Sequence, residues 1–82
     1  LTHKQMHGRV AEALIFLSDS VYKSDNFELY LSRQELADFT GMSKESICRV
    51  LKEFNDEHIV SSKGRMISIQ DKQILKKIYE AG

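Results

Sequence analysis

Between Ser32 and Phe54 the chain carries two helix-start signals separated by a glycine, and this pattern leaves little besides two helices meeting at a tight turn. Ser32-Arg33-Gln34-Glu35 is a capping box. The serine oxygen can accept from the amide three residues on, while the glutamate reaches back to the serine amide. The helix that starts there carries Leu36, Ala37 and Phe39 and runs into Thr40-Gly41, where glycine takes the left-handed conformation that ends a helix. Met42 then leads to Ser43, a second N-cap. The helix that follows, from Ser43 to Phe54, sets Ile47, Val50, Leu51 and Phe54 at i, i+3, i+4 and i+7, which is one face of a helix.

The flanks extend this pair to one small domain, residues 1–82, too short for a second core. Upstream, Met6, Val10, Ala13, Leu14, Leu17 and Val21 fall at helical spacing, with Ile15 and Phe16 broadening the stripe. They predict a leading helix over about Met6–Ser20, and residues 1–24 are read as that helix and its loop. Ser18 to Asn26 is rich in Ser, Asp, Lys and Asn, and Phe27 to Leu31 alternates as a short strand does. Downstream, Ile59 to Ile69 has β-branched residues on both sides of a polar tip containing Gly64, which predicts a hairpin over 58–70. Asp71 is the cap of a last helix with Ile74, Leu75 and Ile78, over 71–82.

Helix, tight turn, longer helix and hairpin in that order describe a winged helix-turn-helix, mainly α with small β, in which the helix-turn-helix, here over 32–56, puts its second helix into the major groove of DNA. Net charge is zero, so bulk charge does not announce a nucleic-acid binder. Placement has to decide. Between Gly41 and Met66 stand Lys44, Arg49, Lys52, Lys63 and Arg65 against Glu45, Glu53, Asp56 and Glu57. At about 100° per residue, the apolar stripe of the second helix lies opposite Glu45, Cys48, Arg49 and Lys52.

Gly8-Arg9-Val10-Ala11, the run from Leu31 to Lys52, and Gly64-Arg65-Met66-Ile67 together resemble the Crp-Fnr family of bacterial transcription regulators over nearly the whole chain. That resemblance implies a DNA-binding domain lying C-terminal to a sensory β-barrel and a long dimerisation helix, in a homodimer that works with RNA polymerase. It also implies that a Glu and an Arg four residues apart face base edges, which are Glu45 and Arg49 here. Their chemistry agrees: arginine donates two parallel bonds to guanine O6 and N7, glutamate accepts from cytosine N4, and four residues' separation puts both on one face. Lys44 and Cys48 precede them at positions that vary in the family, and some members carry serine in place of Cys48. Base contacts are therefore expected from Lys44, Glu45, Cys48 and Arg49. Phosphate contacts are expected from Ser32, Arg33, Gln34, Ser43 and Ser46 at the helix starts, from Lys52, and from Lys63 and Arg65 on the wing. Ser32 and Ser43 also serve as caps.

The competing readings have less behind them. A winged helix used for protein interaction would show large apolar anchors on that outward face, where Glu45, Cys48, Arg49 and Lys52 stand instead. His3 and His7, four apart, make an incomplete metal site, since structural zinc wants four ligands. Cys48 beside Lys44 and Arg49 has neighbours that favour a thiolate, yet a lone cysteine on such a face reads first as a contact residue. No nucleophile-base arrangement, glycine-rich phosphate loop or carboxylate pair in a cleft suggests an enzyme, and no cofactor site is expected. A single cysteine and no long apolar run fit a reducing cytoplasm and no membrane partner.

Overall fold

The computed structural model describes residues 2–82, in which four helices surround the apolar side of a small three-stranded sheet. Helix α1 spans His3–Phe16 and opens on a capping box between Thr2 and Gln5. It continues directly into a π-helical turn, Leu17–Val21, marked by the Tyr22 amide donating to the Leu17 carbonyl at 2.8 Å. This wider turn corrects the expected stripe. An i→i+5 turn uses more residues per revolution than 3.6, so Val21 rotates off the core face and stands 53% exposed. Phe16 is also outside, 48% exposed, against Phe39 of the next helix. Val10, Ala13, Leu14 and Leu17 are buried as the spacing requires.

Strand β1 is Asn26–Glu28, shorter than the alternation suggested. Leu29 is still buried and its amide still donates to Arg65, but the ladder proper ends at Glu28. Helix α2, Arg33–Thr40, and helix α3, Lys44–Asp56, begin at the expected serine caps. Between them Gly41 has φ +71°; its amide donates to Asp38 and the Met42 amide to Ala37, the reciprocal pair that closes a helix end. Phe39, expected on the apolar side of α2, is 54% exposed, while Leu36 and Ala37 are buried.

Helix α3 ends by the same device at a less suitable residue. His58 has φ +59°, its amide donates to Asn55, and the Ile59 amide donates to Phe54. Strands β2, Val60–Lys63, and β3, Met66–Ile69, form the hairpin, with Lys63 opposite Met66 and Gly64 at φ +57° taking the first of two turn positions. β3 is the middle strand, because β1 pairs with its other edge. That pairing joins segments 40 residues apart and has no local sequence signal: Phe27 sits opposite Ile67.

Helix α4, Lys72–Ala81, is capped by Asp71 and packs on α1. Leu75 is fully buried and Ile78 partly so, whereas Ile74 faces outward. The crossing is close because Gly8 has no side chain: a Cβ there would lie 2.9 Å from the Gly82 Cα. Phe54, Leu14, Leu36, Ile47, Ile67 and Leu75 fill the centre, and α3 packs there against α1, α2 and β2.

Candidate nucleic-acid interface

Burying Ile47, Val50, Leu51 and Phe54 fixes the rotation of α3 and turns Lys44, Glu45, Cys48, Arg49 and Lys52 outward, all exposed. Among the described residues, no side-chain hydrogen bond or ion pair within the chain engages Lys44, Glu45, Cys48 or Arg49. Polar side chains displayed in this way, on a helix that the core holds rigidly, are free to meet an external partner.

The remaining expected contacts surround that face. Ser43 accepts from the Ser46 amide at 3.1 Å and donates to the Ser46 hydroxyl at 2.9 Å, so both serines sit at the first turn of α3. Ser32 accepts from the Glu35 amide at 3.0 Å, while Glu35 accepts from the Ser32 amide at 2.8 Å. Both serines are therefore engaged in capping, as expected. Gln34 donates to Asp38 at 3.1 Å. Lys52 is paired with Asp56 at 3.0 Å, an exposed i, i+4 pair whose hold on the ammonium is weak. Lys63 and Arg65 are exposed at the wing tip.

Arg33 is placed differently from a free phosphate ligand: one guanidinium nitrogen donates to the Gly64 carbonyl at 2.8 Å, tying α2 to the wing. Arg33, Cys48 and Lys52 also line one shallow cleft of about 260 Å³ between α2, α3 and β2, together with Leu51, Asn55 and Ser62. The sequence reading omitted Asn55 and Ser62. Asn55 could have been found, because it follows Cys48 by seven residues and so shares its face. Ser62 comes from the sheet and had no such signal.

Arg9 carries no role in the sequence beyond its place in the Gly8–Ala11 motif, and the structure gives it a task. Its guanidinium donates to the Thr40 carbonyl at 2.9 Å, placing positive charge at the C-terminal end of α2. The leading helix thereby buttresses the turn that aims α3.

A helix pair joined by a glycine turn, its second helix polar on the outside and flanked by a hairpin, defines the winged helix-turn-helix class. Residues 8–78 match the family described as the Crp-like helix-turn-helix domain, and the chain belongs to that family. It is 31% identical over 65 residues to the cAMP-activated global transcriptional regulator CRP of Pasteurella multocida, covering 76% of this chain and 31% of that protein. It is 32% identical, again over 65 residues, to the cAMP-activated global transcriptional regulator Vfr of Pseudomonas aeruginosa, covering 76% of this chain and 30% of Vfr. Among solved structures it superposes on the Thermus thermophilus catabolite activator protein with a TM-score of 0.78 and 26% identity, over 94% of this chain and 35% of that one. The chain thus spans less than a third of the length of these two curated relatives. Family, fold and relatives agree on a Crp-like helix-turn-helix domain, which in those relatives is part of a transcriptional regulator. Among the described residues, no helix is long and apolar enough to cross a membrane.

Proposed function

We propose that this domain binds double-stranded DNA sequence-specifically, with α3 in the major groove and the β2–β3 hairpin against the flanking backbone. The observation that carries the reading is the outward face of α3, where Lys44, Glu45, Cys48 and Arg49 are exposed and without a partner among the described residues. Arg49 reads guanine and Glu45 the amino group of cytosine, with Lys44 and Cys48 touching neighbouring bases. Ser32, Gln34, Ser43, Ser46, Lys52, Lys63 and Arg65 hold phosphates and fix register. Arg33 contributes by setting the wing against α2 as well as by its charge.

The regulator acts in the cytoplasm as a homodimer that works with RNA polymerase, and this domain performs no catalysis. What supports a regulator's role is that the relatives it resembles are global transcriptional regulators. A two-fold dimer presents its recognition helices to successive major grooves, so half-sites are inverted repeats about 10–10.5 bp apart, centre to centre. In vitro selection from a random duplex pool by the full-length regulator tests both statements. Enrichment of an inverted repeat supports them, whereas recovery of unenriched sequence, or of direct repeats, refutes the symmetric readout.

A further inference from the structure

Outside the DNA-facing surface, three metal-ligating side chains from two helices converge. His3 and His7 lie one turn apart at the start of α1, and Glu53 projects from the last turns of α3; one donor atom from each lies within 4.8 Å of the others. His7 Nε2 contacts Glu53 Oε2, and His3 Nε2 is 3.9 Å from Glu53 Oε1. The two imidazole centroids are 4.3 Å apart.

The hydrogen bonding of His7 makes this more than proximity. Its Nδ1 lies 2.7 Å from the His3 carbonyl oxygen, and a carbonyl can only accept, so Nδ1 carries the proton. In the neutral ring Nε2 is then a bare lone pair aimed at a carboxylate oxygen, acceptor against acceptor. Something positive has to stand between them. A shared proton would satisfy the His7–Glu53 contact but would leave the converging His3 ring without a role. A metal ion uses all three donors, and the Nδ1–carbonyl bond is the outer-shell contact that fixes the tautomer of a ligating histidine.

We propose that His3, His7 and Glu53 bind one divalent ion of the zinc class, bridging α1 and α3. Two imidazole nitrogens and one carboxylate oxygen suit zinc, cobalt or nickel and do not suit magnesium or calcium, which need mainly oxygen ligands. Seating the ion separates His7 from Glu53 to about 3.3 Å, the spacing of two ligands on a tetrahedral ion with bonds near 2.0 Å, and leaves the fourth position to water. The ion staples the first turn of the leading helix to the end of the recognition helix. Neither the site nor its test depends on the DNA-binding reading.

The test is Co²⁺ titration of tag-free, chelator-stripped protein, followed by its visible absorption, with Zn²⁺ in competition. Expected are bands that saturate at one equivalent and are displaced by Zn²⁺, with a Tm that rises with Zn²⁺ and not with Mg²⁺. Loss of outer-shell partners weakens metal sites by about tenfold or more, so Glu53→Gln and His3→Ala, each removing a ligand, should weaken Co²⁺ binding at least that much. His3 is largely exposed, so its variant keeps the chelated protein's Tm and serves as the folding control. Absence of Co²⁺ absorption at one equivalent, or an affinity unmoved in either variant, overturns the proposal and leaves the His7–Glu53 contact as a shared proton.

Discussion

The guanidinium of Arg33 donates to the Gly64 carbonyl at 2.8 Å, so the first turn of α2 holds the tip of the wing. Each lies beside groups proposed to meet phosphate, Ser32 and Gln34 on one side and Lys63 and Arg65 on the other. The bond therefore sets the distance between two parts of one backbone-contacting surface.

Replacing Arg33 by alanine should release the wing. One hydrogen bond is worth about 0.5–1.5 kcal/mol, and the loss should appear as faster amide exchange at residues 63–66 with little change in the core. DNA affinity should fall while base preference is retained. Unchanged exchange at the wing would contradict the proposed tie.

Two left-handed residues give opposite expectations. Gly41 has φ +71° in the turn between α2 and α3, and a side chain there also meets the Arg9 guanidinium. Gly41→Ala should therefore cost about 1–2 kcal/mol in denaturant unfolding. His58 has φ +59° with no glycine to ease it, so His58→Gly should stabilise by about 1 kcal/mol. The two changes act on the same type of helix end, and agreement in sign between them would refute the backbone explanation.

Lys72 joins α4 to the π-turn and to the loop after it. It donates to Asp19, to Asp25 at 2.8 Å and to the buried Ser18 hydroxyl at 3.1 Å. The hydrogen bond from Lys72 holds the Asp19 carboxyl below its ordinary 3.8, and the bonds to Asp19 and Asp25 hold the Lys72 ammonium above 10.5. The depressed acid contributes stability above 3.8 that is lost as pH falls through its lowered folded value; the raised base contributes below 10.5 and loses it as pH rises through its raised folded value. The Tm difference between the protein and Lys72→Met should be largest between those limits and narrow at both extremes. A difference constant with pH would mean that Lys72 acts through packing alone.

The helix pair was legible because its signals are local: Ser32 with Glu35, Gly41, Ser43, and a stripe whose spacing fixes the buried face. The outward residues of α3 followed from that stripe. Val21 was misplaced because 3.6-residue spacing cannot anticipate a π-turn. Phe16 and Phe39 are apolar yet mostly exposed, and they meet each other across α1 and α2. The pairing of β1 with β3, the Arg33–Gly64 bond and the approach of Glu53 to His7 join distant segments, so spacing along the chain says nothing of them.

The most direct test of the central claim compares Arg49→Ala with Lys63→Ala on matched and single-mismatch duplexes across several salt concentrations. Arg49 stands on the outward face of α3 and Lys63 on the wing, so the first should read a base and the second hold a phosphate. Arg49→Ala should cost about 1–3 kcal/mol and flatten the preference at one base pair. Lys63→Ala should weaken matched and mismatched DNA alike and reduce the salt slope by roughly one unit, leaving preference intact. If Arg49→Ala weakened every duplex equally and left the preference at each base pair untouched, α3 would not be reading sequence through Arg49.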